Sequence, residues 1–305
     1  MSTLPIAIIR STRPAFLILT PVCVLLGIAA AIHLHGHIEP TLAVLVLLGS
    51  LAAHVAANAL NEYFDFTSGL DIHTHKTPFS GGSGALPAQP QALAWVLATA
   101  LLALALTIAI GLYLVSKVGA TLLAVGVVGV IIILLYTRTL NRLPWLCLVA
   151  PGLAFGPLIV LGTYISVSPP SSATASSYAQ VLLLSLVPFF LVNNLLLLNQ
   201  LPDISADRQA GRRTFPIQYG PAASLRVYLV FLLAAGVALL AAVFSGVAPK
   251  LCLTALVCLP LGFNIYRGVR AAQLQLPGIL PYLGRNVAVT LLTPLLYAIG
   301  LLFGA

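Results

Sequence analysis

The sequence predicts an all-α integral membrane protein with nine transmembrane helices, and three observations carry that prediction. Of 305 residues, 60% are hydrophobic and 7% are charged, whereas a soluble domain devotes about a quarter of its residues to charge. Apolar stretches of roughly 20 residues recur along the chain, the length that crosses a hydrocarbon core about 30 Å thick. These stretches are rich in Leu, Ala and Val without strand alternation, so each must satisfy its own backbone as a helix.

In chain order the spans fall near residues 15–35, 41–62, 92–115, 118–137, 144–166, 180–201, 223–245, 250–267 and 286–304. The first run is too long for the h-region of a signal peptide, and no small-residue cleavage site leads into a soluble mature sequence. "SPPSSATASS" (168–177) reads as an exterior linker, and residues 1–305 as one polytopic domain. With the N-terminus inside, the cytoplasmic segments hold Arg10, Arg13, Lys76, Arg138, Arg142, Arg208, Arg212, Arg213, Arg226, Arg267, Arg270 and Arg285. Lys117 and Lys250 stand on the other side. Twelve against two is a positive-inside bias that supports both the span count and the orientation. The net charge of +8 then reflects topology and attraction to anionic headgroups, with no need for nucleic acid. Cys23, Cys147, Cys252 and Cys258 lie in spans without paired spacing and read as packing thiols.

The chain has six acids: Glu39, Glu62, Asp65, Asp71, Asp203 and Asp207. All but Glu39 fall in two short segments at the cytoplasmic ends of helices. In "NEYFDFTSGLD" (61–71), Asn61 and Asp65 stand at i, i+4, Asn58 lies a turn earlier, and Asp71 follows the break at Gly69. In "NQLPDISADRQAGRRTFPIQYG" (199–220), Asn199, Asp203 and Asp207 recur at i, i+4, i+8, the spacing of one helical face. Pro202 removes a backbone donor there and predicts a kink before Asp203.

Stacked carboxylates repel, so such clusters gain nothing unless a cation sits between them. Hard oxygen ligands without His or Cys favour Mg²⁺ or Mn²⁺ over zinc. Two facing clusters of this kind would hold a diphosphate between magnesium ions. Lys76, Arg208, Arg212 and Arg213 follow the clusters closely and supply the positive charge that a diphosphate leaving group needs. Glu62 alone reads as a solvated loop charge, and "SGGSG" (80–84) as either a phosphate nest or a connector. "HLHGH" (33–37) reads as exterior loop polarity. His73 and His75 are candidates for positioning an acceptor, and His54, inside the second span, for a functional buried group.

Together these motifs resemble the two Asp-rich motifs of the UbiA superfamily of intramembrane prenyltransferases. "NEYFDFTSGLD" and "DRQAGRRTFPIQYG", with looser matches in "YTRTLNR" and "FGPLIVLGTYI", look most like its 1,4-dihydroxy-2-naphthoate polyprenyltransferase (menaquinone) branch. The resemblance implies a helical bundle around a central cavity open to lipid, in the bacterial plasma membrane with its Asp caps cytoplasmic. It implies Mg²⁺-dependent transfer of a prenyl chain from an isoprenyl diphosphate to an aromatic acceptor. By position, Asp65, Asp71, Asp203 and Asp207 would hold Mg²⁺ and act in catalysis, beside Asn58, Asn61 and Asn199. Lys76, Arg208, Arg212 and Arg213 would bind substrate, and Tyr136 would lie near the reacting carbon, with Phe155 a second aromatic face; an aromatic of the membrane-interface belt is the other reading of Tyr136. The menaquinone branch tends to carry a Gly-rich stretch with an acid after the fourth helix. Here "LPWLCLVAPGLAFGP" has none, which leaves the acceptor open.

Two other classes compete. A CDP-alcohol phosphotransferase gathers its acids in a single cluster, whereas here they are split between two loops. A cation-coupled transporter places its site at broken helices near the midplane, whereas these acids stand at helix ends.

Overall fold

The computed structural model describes residues 3–74, 76–169, 174–273 and 277–304. Among the described residues the chain is helical, with no strand. Nine apolar helices follow one another: α1 (Leu19–His35), α2 (Pro40–Thr67), α3 (Leu93–Val118), α4 (Ala120–Leu135), α5 (Pro144–Val167), α6 (Ala175–Asn199), α7 (Pro221–Phe244), α8 (Lys250–Ala271) and α9 (Leu280–Phe303). Eight of them are long and apolar enough to cross a membrane, the first as part of Leu4–His35. The exception is α4, whose 16 residues extend about 24 Å at 1.5 Å per residue. The expected count of nine spans therefore stands at eight long helices and one short one.

Helix ends fall where local chemistry puts them. Glu39, the acid outside both clusters, caps α2 by accepting from Thr41 N at 3.4 Å, where a carboxylate favours a helix N-terminus. Thr174 and Ser177 form a reciprocal capping box at the start of α6. Of the linker 168–177, residues 170–173 lie outside the described residues. α5 is α-helical over Pro144–Leu153, π-helical over Ala154–Leu161 and α-helical again over Gly162–Val167. Pro157 inside the π segment cannot donate to the helical ladder, which accounts for the wider turn.

Each helix packs on its neighbours in sequence, and α9 returns to α1, so the bundle closes on itself. α1 also meets the π segment of α5, and α6 meets α9. Leu102, Val237, Phe244 and Val257 stay exposed on the outside, as helices solvated by lipid allow. Trp95 and Trp145 are exposed near the starts of α3 and α5, on the end of the bundle that carries the aspartates, where aromatic residues favour a membrane interface.

Lipid gives apolar helices little reason to associate, so close backbone approach and polar contacts decide the packing. α5 meets α6 through Gly152 and Gly156: a Cβ at Gly156 would lie 2.7 Å from Ser185 O and 2.8 Å from Phe189 N. A polar chain crosses the bundle where Asn194 donates to Tyr228 O, Tyr228 OH to Asn286 Oδ1, and Asn286 to Asn194 O, at 2.9, 3.1 and 3.3 Å. Gly156→Leu should push α5 off α6 and cost about 3 kcal/mol or more, because the clash is with backbone. A thermal melt in detergent should show the loss, and an unchanged midpoint would refute the packing.

Candidate active site

The first half of the site is the end of α2. This helix runs five residues past the predicted boundary, so Asn61 and Asp65 lie one turn apart on it, and Asn61 donates to Asp65. At Gly69 the backbone takes φ +76°, a region that costs glycine nothing. The chain then turns into the short helix Leu70–His73 and brings Asp71 back beside the end of α2. Asp65 and Asp71 are both buried.

The second half departs from the expected single helical face. α6 stops at Asn199, a turn follows, and Asp203 stands at the start of a separate helix, Ile204–Gln209. Pro202 thus accompanies a break rather than a kink. Asn199, Asp203 and Asp207 nonetheless line one cavity, because the turn re-aims the chain.

Two contacts join the halves. Arg212 donates to Asp207 at 2.9 Å and pairs with Asp65, so one guanidinium bridges a carboxylate from each half. Gly81 N donates to Asp203 Oδ2 at 3.1 Å. Gly82 lies close to Asp71: a Cβ there would come within 3.0 Å of its carboxylate. The "SGGSG" segment is thus a loop whose backbone N–H groups donate to carboxylates, Gly81 to Asp203 and Ser83 to Glu62.

Glu62, read as a solvated charge, is fully buried. It pairs with Arg13 at 2.6 Å and accepts from Ser83 N and Ser83 Oγ at 2.8 and 2.6 Å. It therefore ties the N-terminal segment and the glycine loop to α2. No local signal announces this, since its partners are 49 and 21 residues away.

The site forms one end of a cavity of about 760 Å³. Asn58, Asn61, Asp65, Asp71, Asn199, Asp203, Asp207, Arg212 and Tyr136 all contribute to its wall. Toward the other end it is apolar, with Leu112, Leu123, Val127 and Ile131 among its lining. Phe155 also faces it, edge-on to His54 at 4.9 Å between ring centres, and His54 Nδ1 meets Thr20 Oγ1 at 2.8 Å. Lys76, Arg208 and Arg213 are exposed and lie outside the cavity wall. Lys76 Nζ rests against Gly84 instead. In the histidine group at 33–37, His35 meets Tyr164 OH at 2.7 Å. His75 lies outside the described residues.

Asp71 Oδ2, Asp203 Oδ1 and Asn199 Oδ1 are buried without a hydrogen-bond partner. Unpaired buried acceptors on a cavity wall are the donors a hard cation takes. Among the described residues no three Asp, Glu, His or Cys side chains converge as a closed metal site. The three unpaired oxygens are of the hard type that an ion such as Mg²⁺ takes, its shell otherwise completed by water and phosphate oxygens. Burial, then Asp65 and Glu62, pushes the Asp71 pKa up to about 7. Burial, then Asp207, does the same for Asp203, to about 7, against hydrogen bonds from Ser80 and Gly81. Burial also raises Asp207, against the pull of Arg212.

Residues 20–276 match the sequence model of the UbiA prenyltransferase family. Over 212 residues the chain is 29% identical to 1,4-dihydroxy-2-naphthoate octaprenyltransferase of Bacillus subtilis (strain 168), a match covering 68% of this chain and 64% of that protein. The fold resembles the apo structure of a UbiA homolog from Aeropyrum pernix K1, with a TM-score of 0.73 and 16% identity, covering 92% of this chain and 95% of that one. It also resembles a UbiA homolog from Archaeoglobus fulgidus bound to GPP and Mg²⁺, with a TM-score of 0.59 and 16% identity, covering 97% and 99%.

The buried brace and the raised carboxyl groups each generate an expectation. Glu62→Ala should destabilise by about 2–4 kcal/mol, since it strands Arg13 and the Ser83 amide. A double-mutant cycle with Arg13→Ala should recover a coupling of about 1–3 kcal/mol, and simple additivity would show that the pair is inert. Asp71 and Asp203 hold protons in the fold that the unfolded chain releases near its ordinary value of about 3.9. Stability of the chelated protein should therefore fall as pH rises from about 4 to about 7, and level off above. Melts in EDTA should show a higher midpoint at pH 5.5 than at pH 8, and the reverse order would contradict the assignment.

Proposed function

Because the chain belongs to the UbiA prenyltransferase family, we propose that it transfers a prenyl chain from an isoprenyl diphosphate to an aromatic quinone precursor. We take 1,4-dihydroxy-2-naphthoate, in menaquinone synthesis, as the acceptor to test first. The observation that carries the reading is the unpaired oxygen set of Asp71, Asp203 and Asn199 at the polar end of an otherwise apolar cavity. Support comes from the Bacillus relative named for that reaction and from the Archaeoglobus homolog bound to GPP and Mg²⁺.

In this reading Asp65, Asp71, Asp203 and Asp207, with Asn61 and Asn199, hold Mg²⁺, which when bound neutralises the diphosphate and makes it a better leaving group. Arg212, freed from one of its carboxylates, turns a planar pair of donors toward phosphate oxygens. Leu112, Val127 and Ile131 take the isoprenoid tail and keep water from the allylic carbon. Cleavage of the C–O bond leaves its electron pair on the diphosphate and positive charge on the allyl group. The faces of Phe155 and Tyr136 stabilise that charge by cation–π attraction in a dry pocket. The acceptor ring attacks, and its proton passes to a free carboxylate or to the departing diphosphate.

The polar end is assigned to the cytoplasmic side of a bacterial plasma membrane, since Arg138, Arg142, Arg208 and Arg213 gather there while Lys117 and Lys250 stand at the other end. Purified protein in detergent, given labelled prenyl diphosphates and Mg²⁺, should prenylate one of dihydroxynaphthoate, 4-hydroxybenzoate and homogentisate. Asp65→Ala or Asp203→Ala should lower the rate by about 10²–10³-fold, the scale of losing one charge-stabilising group. Transfer that survives chelation and both substitutions would refute the clamp.

A further inference from the structure

A second pocket of about 240 Å³ lies at the same end of the bundle, and the reaction described above does not use it. Asp65, Thr137, Asn141 and Arg212 line both this pocket and the main cavity. The partition between them is thus made of polar side chains, with the Asp65–Arg212 ion pair in it. On the far side stand Arg138 and Arg142, both exposed. Neither has an ion-pair partner among the described residues; the Arg138 guanidinium instead lies over the Phe64 ring, 5.4 Å from its centre. Asn141 is 8% exposed and its amide nitrogen donates to Thr137 O, so the cations of this pocket come from the arginines.

We propose that this pocket binds the inorganic diphosphate that the reaction releases, and that it is the anion's way out to water. The proposal rests on the prenyl-transfer reading. When the allylic C–O bond breaks, its electron pair leaves with the diphosphate, which must then be separated from the prenylated product. The other end of the main cavity, mostly aliphatic with a few hydroxyl groups and no cationic side chain, would replace little of such an anion's hydration. Toward Arg138 and Arg142 the route is polar and ends in two guanidinium groups, donors whose forked geometry matches phosphate. Arg212 forms part of the wall between the compartments, so turning it away from Asp65 takes the ionic closure out of the partition.

The test is equilibrium binding of radiolabelled inorganic diphosphate to the full chain in detergent with EDTA, where the aspartates have no metal with which to hold it. Wild type should bind one diphosphate per chain. Arg138→Gln/Arg142→Gln should weaken binding about a hundredfold, the cost of losing two charge-assisted contacts. Asp203→Ala should leave it unchanged. The double variant should keep its KM for prenyl diphosphate within about twofold, which also shows that it is folded. Absence of metal-free binding, or its loss in Asp203→Ala rather than in the arginine variant, would overturn the proposal. Displacement of diphosphate by phosphatidylglycerol in the micelle would overturn it in favour of a lipid headgroup site. Failure of the underlying reading would look different: prenyl diphosphate would show no Mg²⁺-dependent binding, whatever the arginines do.

Discussion

Like charges gathered in a poorly solvated place must be neutralised, and at the end of this bundle Arg212 does it. Its guanidinium holds Asp65 on α2 and Asp207 beyond α6, elements that are otherwise remote in sequence. Without a cation at this point, the two halves would carry uncompensated charge toward each other in a medium where that repulsion is strong. This one bridge ties the two halves of the site together.

The cavity is divided by chemistry along its length. At one end stand carboxylates, amides and a guanidinium; along the rest aliphatic side chains predominate, with Phe155, His54 and a few hydroxyl groups among them. An amphiphile with an anionic head and a hydrocarbon tail has one orientation in such a space, and its head-to-tail bond falls at the boundary. Reaction at that bond needs charge stabilisation on one side and dryness on the other, and the division supplies both. Glu62 supports the arrangement from behind, because its bonds to Arg13 and Ser83 fix the loop that meets Asp71 and Asp203.

How far the sequence revealed this depends on the range of each interaction. Helices were legible because a residue's apolar character and its few neighbours decide them, so α3, α5 and α7 begin within a few residues of expectation. Asp65, Asp71, Asp203 and Asp207 stand out in the sequence because carboxylates are scarce in this chain and clustered, and Asn61 and Asn199 because they stand four residues before an aspartate. Glu62 was misread because its burial depends on Arg13, a partner contributed by another segment. Proximity in sequence groups Lys76, Arg208 and Arg213 with Arg212, yet of the four only Arg212 lines the cavity. A turn at Gly211, with φ +75°, separates Arg208 from Arg212, and spacing alone does not reveal such a turn. Pro202 warned of a bend, but whether a helix bends or ends there is settled by tertiary contacts.

The π-helical stretch of α5 bears on how this scaffold can vary. It faces the cavity through Phe155, Leu158 and Ile159, while Gly156 packs against α6. A wide turn accommodates one residue more than an α-helix does over the same rise. Loss of a single residue there would close the wide turn to an ordinary α-helix and leave the segments on either side close to their present register. The change would fall on Phe155, Leu158 and Ile159, while the aspartate segments, built on α2 and after α6, stayed where they are. Length polymorphism in this one helix is therefore a route by which a local stretch of the cavity wall can change independently of the polar end.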